Sequence, residues 1–125
     1  MKVNYIRARE DGESYLEEID LPVEHVERRV TTVPVPATQF TIGESDALVP
    51  LGWHHAPRRQ LVAVLSGRLE VEGGDGVKKY FGPGDTFIAD DLSGRGHLTR
   101  DLEGPVRLLY VHLPENIDFS AWFTV

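Results

Sequence analysis

His54 and His97 are the residues of this chain best suited to do chemistry. An imidazole changes charge near neutral pH, so it serves as a proton shuttle or, when neutral, as a metal ligand. His54 stands in Trp53-His54-His55-Ala56-Pro57-Arg58-Arg59-Gln60, directly before the apolar run Leu61-Val62-Ala63-Val64-Leu65 and the pair Ser66-Gly67. His97 closes a polar loop that begins at Asp90-Asp91, and Leu98-Thr99-Arg100-Asp101 follows it. Adjacent residues on a strand point to opposite faces, so His54, Ala56, Arg58 and Gln60 share a parity with Val62 and Val64. The other parity, Leu61, Ala63 and Leu65, is also apolar. A strand buried on both faces, with polar residues at one end of one face, lines a pocket. Ser66-Gly67 is expected to end it in a turn.

Around this stretch the sequence predicts an all-β chain. Residues 3–7 and 15–19 alternate as strands about a turn at 10–14. Pro22 and the charged residues 24–29 break the pattern and leave a helical turn as one option. Residues 31–42 are β-rich, with prolines that suit an edge or a bulge. Residues 68–72 and 77–81 flank Gly73-Gly74-Asp75-Gly76 as a hairpin. The corner Gly82-Pro83-Gly84-Asp85 feeds a strand at 86–89, and further strands are expected at 97–100 and 106–113. The tail, residues 117–125, carries Phe119, Trp122 and Phe123 and must dock on the body or on a second subunit. Short strands with Gly/Pro corners and no long helix indicate an antiparallel sandwich or barrel.

At 125 residues the chain is expected to form one domain, residues 1–125. The net charge of −7 and the scatter of the basic residues in short pairs argue against a nucleic-acid partner. There is no cysteine, which excludes disulfides, thiolate metal sites and cysteine nucleophiles. The absence of a signal-like start or a long apolar run points to a cytoplasmic protein without a membrane partner.

These residues resemble the cupin family, whose members share a small jelly-roll barrel. Against the family's first motif, G-x5-H-x-H-x3–4-E-x6-G, His54 matches the first histidine, Ala56 takes the place of the second, Gln60 that of the glutamate, and Gly67 closes it. The opening glycine is missing. Against the second, G-x5-P-x-G-x2-H-x3-N, Gly84, Gly94 and His97 match, with Leu92 at the proline and Asp101 at the asparagine. The spacing from Gly84 to Leu92 is two residues longer than the family's. The resemblance covers residues 38–113 and implies a jelly-roll (double-stranded β-helix) barrel, here with extra N-terminal strands and the apolar tail.

The resemblance also implies a divalent metal inside the barrel, on His54, Gln60 and His97. Two imidazoles and an amide carry no negative charge, whereas iron or manganese oxygenase sites keep a carboxylate, so zinc, nickel or copper suits this set better. His55, Asp101, Asp90 or Asp91 would be needed to complete an iron or manganese site, and His112 is a further wall residue. Arg58 is the residue to take a substrate carboxylate, because its planar fork binds one bidentately. Trp53, as lid or stacking platform, and Thr99 are further substrate contacts. Each residue also has a plain structural reading: His54, Gln60 and His97 as hydrogen-bonded core residues, His55 as surface, Asp90 and Asp91 as loop caps or arginine partners.

Three functions follow. The first is a metal-dependent oxygenase, isomerase or lyase on a small organic molecule, with His54 and His97 catalytic. The second is a metal-free enzyme in which these histidines shuttle protons. The third is a non-catalytic module that captures a small ligand. The outward Leu61-Ala63-Leu65 parity and the tail, with the resemblance, lead us to expect a homodimer.

Overall fold

The computed structural model describes residues 1–45 and 51–123. Ten strands follow one another: β1 (Lys2–Ala8), β2 (Ser14–Asp20), β3 (Val23–Val26), β4 (Arg29–Thr32), β5 (Gln39–Ser45), β6 (Leu51–His54), β7 (Gln60–Glu72), β8 (Lys78–Phe81), β9 (Thr86–Asp90) and β10 (His97–His112). Eight of them form one mixed sheet in the order β2-β1-β9-β7-β10-β5, with β6 added on β10 and β8 on β7. β3 and β4 make a separate hairpin. Among the described residues of the large sheet, only β1 and β9 pair in parallel. The fold is all-β, with the N-terminal strands added beside β9 and the apolar tail packed outside the large sheet.

The side-chain period of two builds two apolar clusters from the same strands. Ile6 of β1, Val62 and Val64 of β7 and Phe87 and Ala89 of β9 turn inward and pack with Leu69, Val71 and Val106. Their neighbours Tyr5, Leu61 and Ile88 turn outward and pack with Ile19, Leu113 and Phe119. The tail supplies the cover for this second cluster within the same chain. The Tyr5 ring meets Phe119 at 5.6 Å and Phe123 at 5.2 Å, both edge-on. The Arg7 guanidinium lies 4.2 Å over the Phe123 ring, and Arg59 Nη1 donates to the carbonyls of Glu115 and Ile117. Thr124 and Val125 lie outside the described residues. Phe40, Ile42 and Leu65 on β5 and β7 stay exposed, at 67%, 58% and 45%.

The structure corrects several local expectations. Residues 53–65 are not one strand: β6 ends at His54 and β7 begins at Gln60, so parity does not carry across Pro57 to Arg58. β7 does not stop at Ser66-Gly67 but runs on to Glu72. Residues 24–29 hold no helical turn, because β3 and β4 pair through a tight turn with Glu27 at φ 54°. The strands expected at 97–100 and 106–113 are one long β10, whose register against β7 shifts between Asp101 and Leu108. Among the described residues no helix is long and apolar enough to cross a membrane.

Gly67 explains how β7 passes through the expected turn. Its φ is +79°, and a Cβ there would fall 2.6 Å from the Glu103 carbonyl oxygen and 2.8 Å from Val106 Cα. Only glycine allows β10 to cross so closely. Gly67→Ala is therefore expected to destabilise by about 1–3 kcal/mol from backbone strain, with the backbone clash adding to it, and to lower Tm by roughly 5–10 °C in a thermal melt.

Candidate functional site

The inward face encloses a cavity of about 480 Å³ lined by β5, β6, β7, β9 and β10. Its walls are apolar (Val62, Leu69, Phe87, Leu108), and its polar groups are His54, Gln60, His97, Thr99, Asp101 and Tyr110, with Glu44 and Ser45 at one side. His54 and His97 are direct partners across the β6–β10 pair. Their ring centroids lie 4.7 Å apart with the planes tilted by 56°. Gly96 makes this approach possible: at φ +84°, a Cβ on it would sit 1.9 Å from the His54 carbonyl oxygen.

Each ring is fixed through Nδ1. His97 Nδ1–H donates to Asp91 Oδ2 at 2.6 Å, and the Ser14 hydroxyl donates to the same oxygen at 2.8 Å. Asp91 and Ser14 have no exposed surface and His97 is 4% exposed. Asp91 Oδ1 has no partner among the described residues, while the Asp91 carbonyl accepts from the Ala56 N–H at 2.9 Å. His54 Nδ1–H donates to the Gly52 carbonyl at 2.8 Å. With both Nδ1 atoms engaged as donors, each neutral ring keeps a lone pair on Nε2, and neither Nε2 has a protein partner among the described residues.

The sequence-predicted residues fall into three groups. His54, Gln60, His97 and Thr99 line the cavity, as does Asp101. Arg58 lies outside its wall, exposed, with Nη1 donating to Gln60 Oε1 at 3.3 Å and to His112 Nε2 at 3.4 Å. Trp53 is not part of the wall either: it is half-buried beneath the Arg95 guanidinium, 3.9 Å from its ring, and Arg95 is held by Glu13 at 2.7 Å. His55 is exposed, its Nδ1 on the Ala56 carbonyl at 3.0 Å. Asp90 binds Arg59 Nε at 2.7 Å and accepts from the Tyr5 hydroxyl. Sequence reasoning left out Ser14 and Tyr110. Ser14 looked like a turn residue, and only the packing of the 91–96 loop on Gly12, where Arg95 N–H donates to the Gly12 carbonyl at 3.2 Å, brings it under Asp91. Tyr110 could have been found by parity, since it alternates with Leu108 on β10.

Among the described residues no three of His, Cys, Asp and Glu gather to hold an ion. The available donors are two imidazoles and the Gln60 carboxamide, whose oxygen already accepts from Arg58. A guanidinium beside that oxygen repels a second cation. The set suits an imidazole-preferring ion on the two rings and does not supply the carboxylate of a two-histidine, one-acid oxygenase.

No protein-family model matches the chain. No curated protein matches it either. Several solved structures are similar in part, three of them as follows. A conserved protein of unknown function from Streptococcus pyogenes, SPY1581, is 25% identical over 67% of this chain and 71% of its own, with a TM-score of 0.48. Protein NMB1881 from Neisseria meningitidis is 15% identical over 74% of this chain and 82% of its own, also at 0.48. A putative ethanolamine utilization protein Q from Salmonella typhimurium is 17% identical over 93% of this chain and 98% of its own, at 0.45.

Burial and then the nearby Asp101 carboxylate raise the Tyr110 hydroxyl above its ordinary range. A raised folded-state value means that the stability from keeping this phenol neutral is full below pH about 10 and is lost as pH climbs past it. Asp101→Asn is expected to let Tyr110 ionise at a lower pH, read as the difference in ultraviolet titration between that variant and Asp101→Asn/Tyr110→Phe.

Proposed function

We propose that the cavity binds a small organic molecule and that His97, backed by Asp91, moves a proton on it, as an isomerase or lyase does. The observation that carries this reading is the buried Asp91–His97 contact of 2.6 Å. Asp91 keeps Nδ1 protonated, leaves Nε2 as the base, and stabilises the imidazolium formed when Nε2 takes a proton. His54 is a second base whose ring centroid is 4.7 Å away. Thr99 and the neutral Tyr110 offer hydroxyl donors to a substrate oxygen in the same cavity, and the apolar walls exclude water.

The test uses small carbonyl compounds, neutral and anionic, incubated with the protein in D2O and followed by proton NMR. Exchange at the carbon beside the carbonyl is expected, and His97→Ala is expected to slow it by about 10²–10⁴-fold. Asp91→Asn should slow it as well and shift the His97 tautomer seen by nitrogen NMR. Exchange in no compound, or equal exchange by His97→Ala, sinks the proposal.

A second reading is favoured by the two free Nε2 atoms. His54 and His97 would hold a zinc, nickel or copper ion, and such an ion polarises a bound carbonyl oxygen. Activity lost on chelation and restored by one of these ions would select it over the metal-free reading. The homodimer expected from the sequence would rest on exposed Phe40, Ile42 and Leu65, since the tail is already used within the chain. Light scattering at twice the protomer mass, reduced to the protomer mass by Phe40→Glu/Ile42→Glu, is the expected result.

A further inference from the structure

In an acidic chain with 20 Asp and Glu against 13 Lys and Arg, most arginines of the sheet have found carboxylates. Arg59 binds Asp90, Arg95 binds Glu13, Arg100 binds Glu70 and Glu72, and Arg107 binds Glu44. Arg58 has none among the described residues. It is nevertheless not loose. Both of its known hydrogen bonds leave from Nη1, one to the cavity-wall residue Gln60 and one to His112 Nε2. Because a guanidinium only donates, His112 Nε2 is the acceptor there, and Thr41 Oγ1 lies 3.4 Å from the same nitrogen. Gln60 and His112 are themselves partners across β7 and β10, so the guanidinium is braced over the end of that ladder.

The bracing leaves a particular edge unused. Nε–H and the Nη2 hydrogens, the parallel pair that takes both oxygens of a carboxylate, have no partner among the described residues. Gln60, whose Oε1 holds Nη1, is a residue of the cavity wall. The cavity's acidic lining residues are Glu44, already neutralised by Arg107 at 2.7 Å, and Asp101. The surroundings of the cavity are therefore electrostatically uneven, with the Arg58 cation just outside the wall at Gln60.

We propose that Arg58, steadied by Gln60 and His112 at the rim, receives the carboxylate of a small anionic substrate whose remainder enters the cavity toward His54 and His97. This rests on the reading of the cavity as a small-molecule site and adds the substrate class, a small organic carboxylate with an exchangeable C–H beside a carbonyl. No covalent step is assigned to Arg58, which is a binding residue.

The experiment titrates nitrogen-15-labelled full-length protein with pyruvate and, separately, with its neutral amide. Saturable shifts of the Arg58 Nε–H and Gln60 side-chain amide signals are expected with pyruvate and not with the amide. Arg58→Gln should weaken pyruvate binding at least tenfold. Arg58→Lys should recover it only in part, because the charge returns without the fork. Both variants are exposed-loop substitutions, and unchanged amide spectra elsewhere verify their folding. Absence of saturable pyruvate binding, equal binding of the amide, or full affinity in Arg58→Gln each overturns the proposal. His97→Ala separates the two ideas: pyruvate binding retained with proton exchange as fast as in the unmodified protein refutes the acid–base reading and leaves the Arg58 subsite standing.

Discussion

A carboxylate with no exposed surface constrains more of this molecule than any apolar contact does. Asp91 is fully buried and one of its oxygens has no partner among the described residues, so its other oxygen must be well served for the fold to tolerate it. Ser14 and His97 serve it, one from β2 and one from the start of β10. Its carbonyl also fixes Ala56 in the break between β6 and β7. Four segments are thus tied at one aspartate, two through its carboxylate and one through its carbonyl: the N-terminal hairpin, the 55–59 break, its own 91–96 loop and the long strand. Removing one partner would leave the rest with a buried polar group and nothing to pair it, which is why such networks are kept whole.

The N-terminal strands then have a role beyond covering area. β1 pairs in parallel with β9 over Asn4–Arg7 and 87–90, which places the inward Ile6 in the cavity-side cluster and the outward Tyr5 in the other. β2 brings Ser14 beneath the site. The tail completes the outer cluster by setting Phe119 and Phe123 against Tyr5. Tyr5 in turn donates to Asp90, the neighbour of Asp91, and Arg59 spans from Asp90 to the tail carbonyls. The two faces of the sheet are therefore coupled through a pair of adjacent aspartates, one facing each way.

Much of this was legible in the sequence because strand periodicity survives without knowledge of partners. Residues 3–7, 15–19, 68–72 and 86–89 all fall in strands, the strand expected at 77–81 begins one residue later at Lys78, and His54 and His97 meet. What failed did so for physical reasons. Parity was carried through Ala56-Pro57, where the chain leaves the strand and the rule no longer applies. Ser66-Gly67 reads as a stop because a Ser-Gly pair after an apolar run usually marks a turn; here Gly67, at positive φ, permits a close crossing inside one strand. The β3–β4 hairpin was obscured because both strands are exposed and carry charge, so no apolar alternation announces them. The link from Ser14 to Asp91 spans most of the chain, and nothing local in either residue signals it.

Ala56 shows how a position that would carry a metal ligand can be absorbed by packing. In the pattern that this segment resembles, a second histidine stands there; in this chain Ala56 is 2% exposed and belongs to the inner apolar cluster. Its N–H is committed to the Asp91 carbonyl, so the backbone at this point is held by the same residue that holds His97. A larger polar side chain at Ala56 would either take up cavity volume or displace inner-cluster atoms, the latter at a cost that overpacking sets at about 1–3 kcal/mol. The small residue and the buried aspartate are thus consistent with one another: Ala56 adds no polar group to the cavity that it lines, and the buried carboxylate stands behind His97, where it holds the Nδ1 proton of the ring.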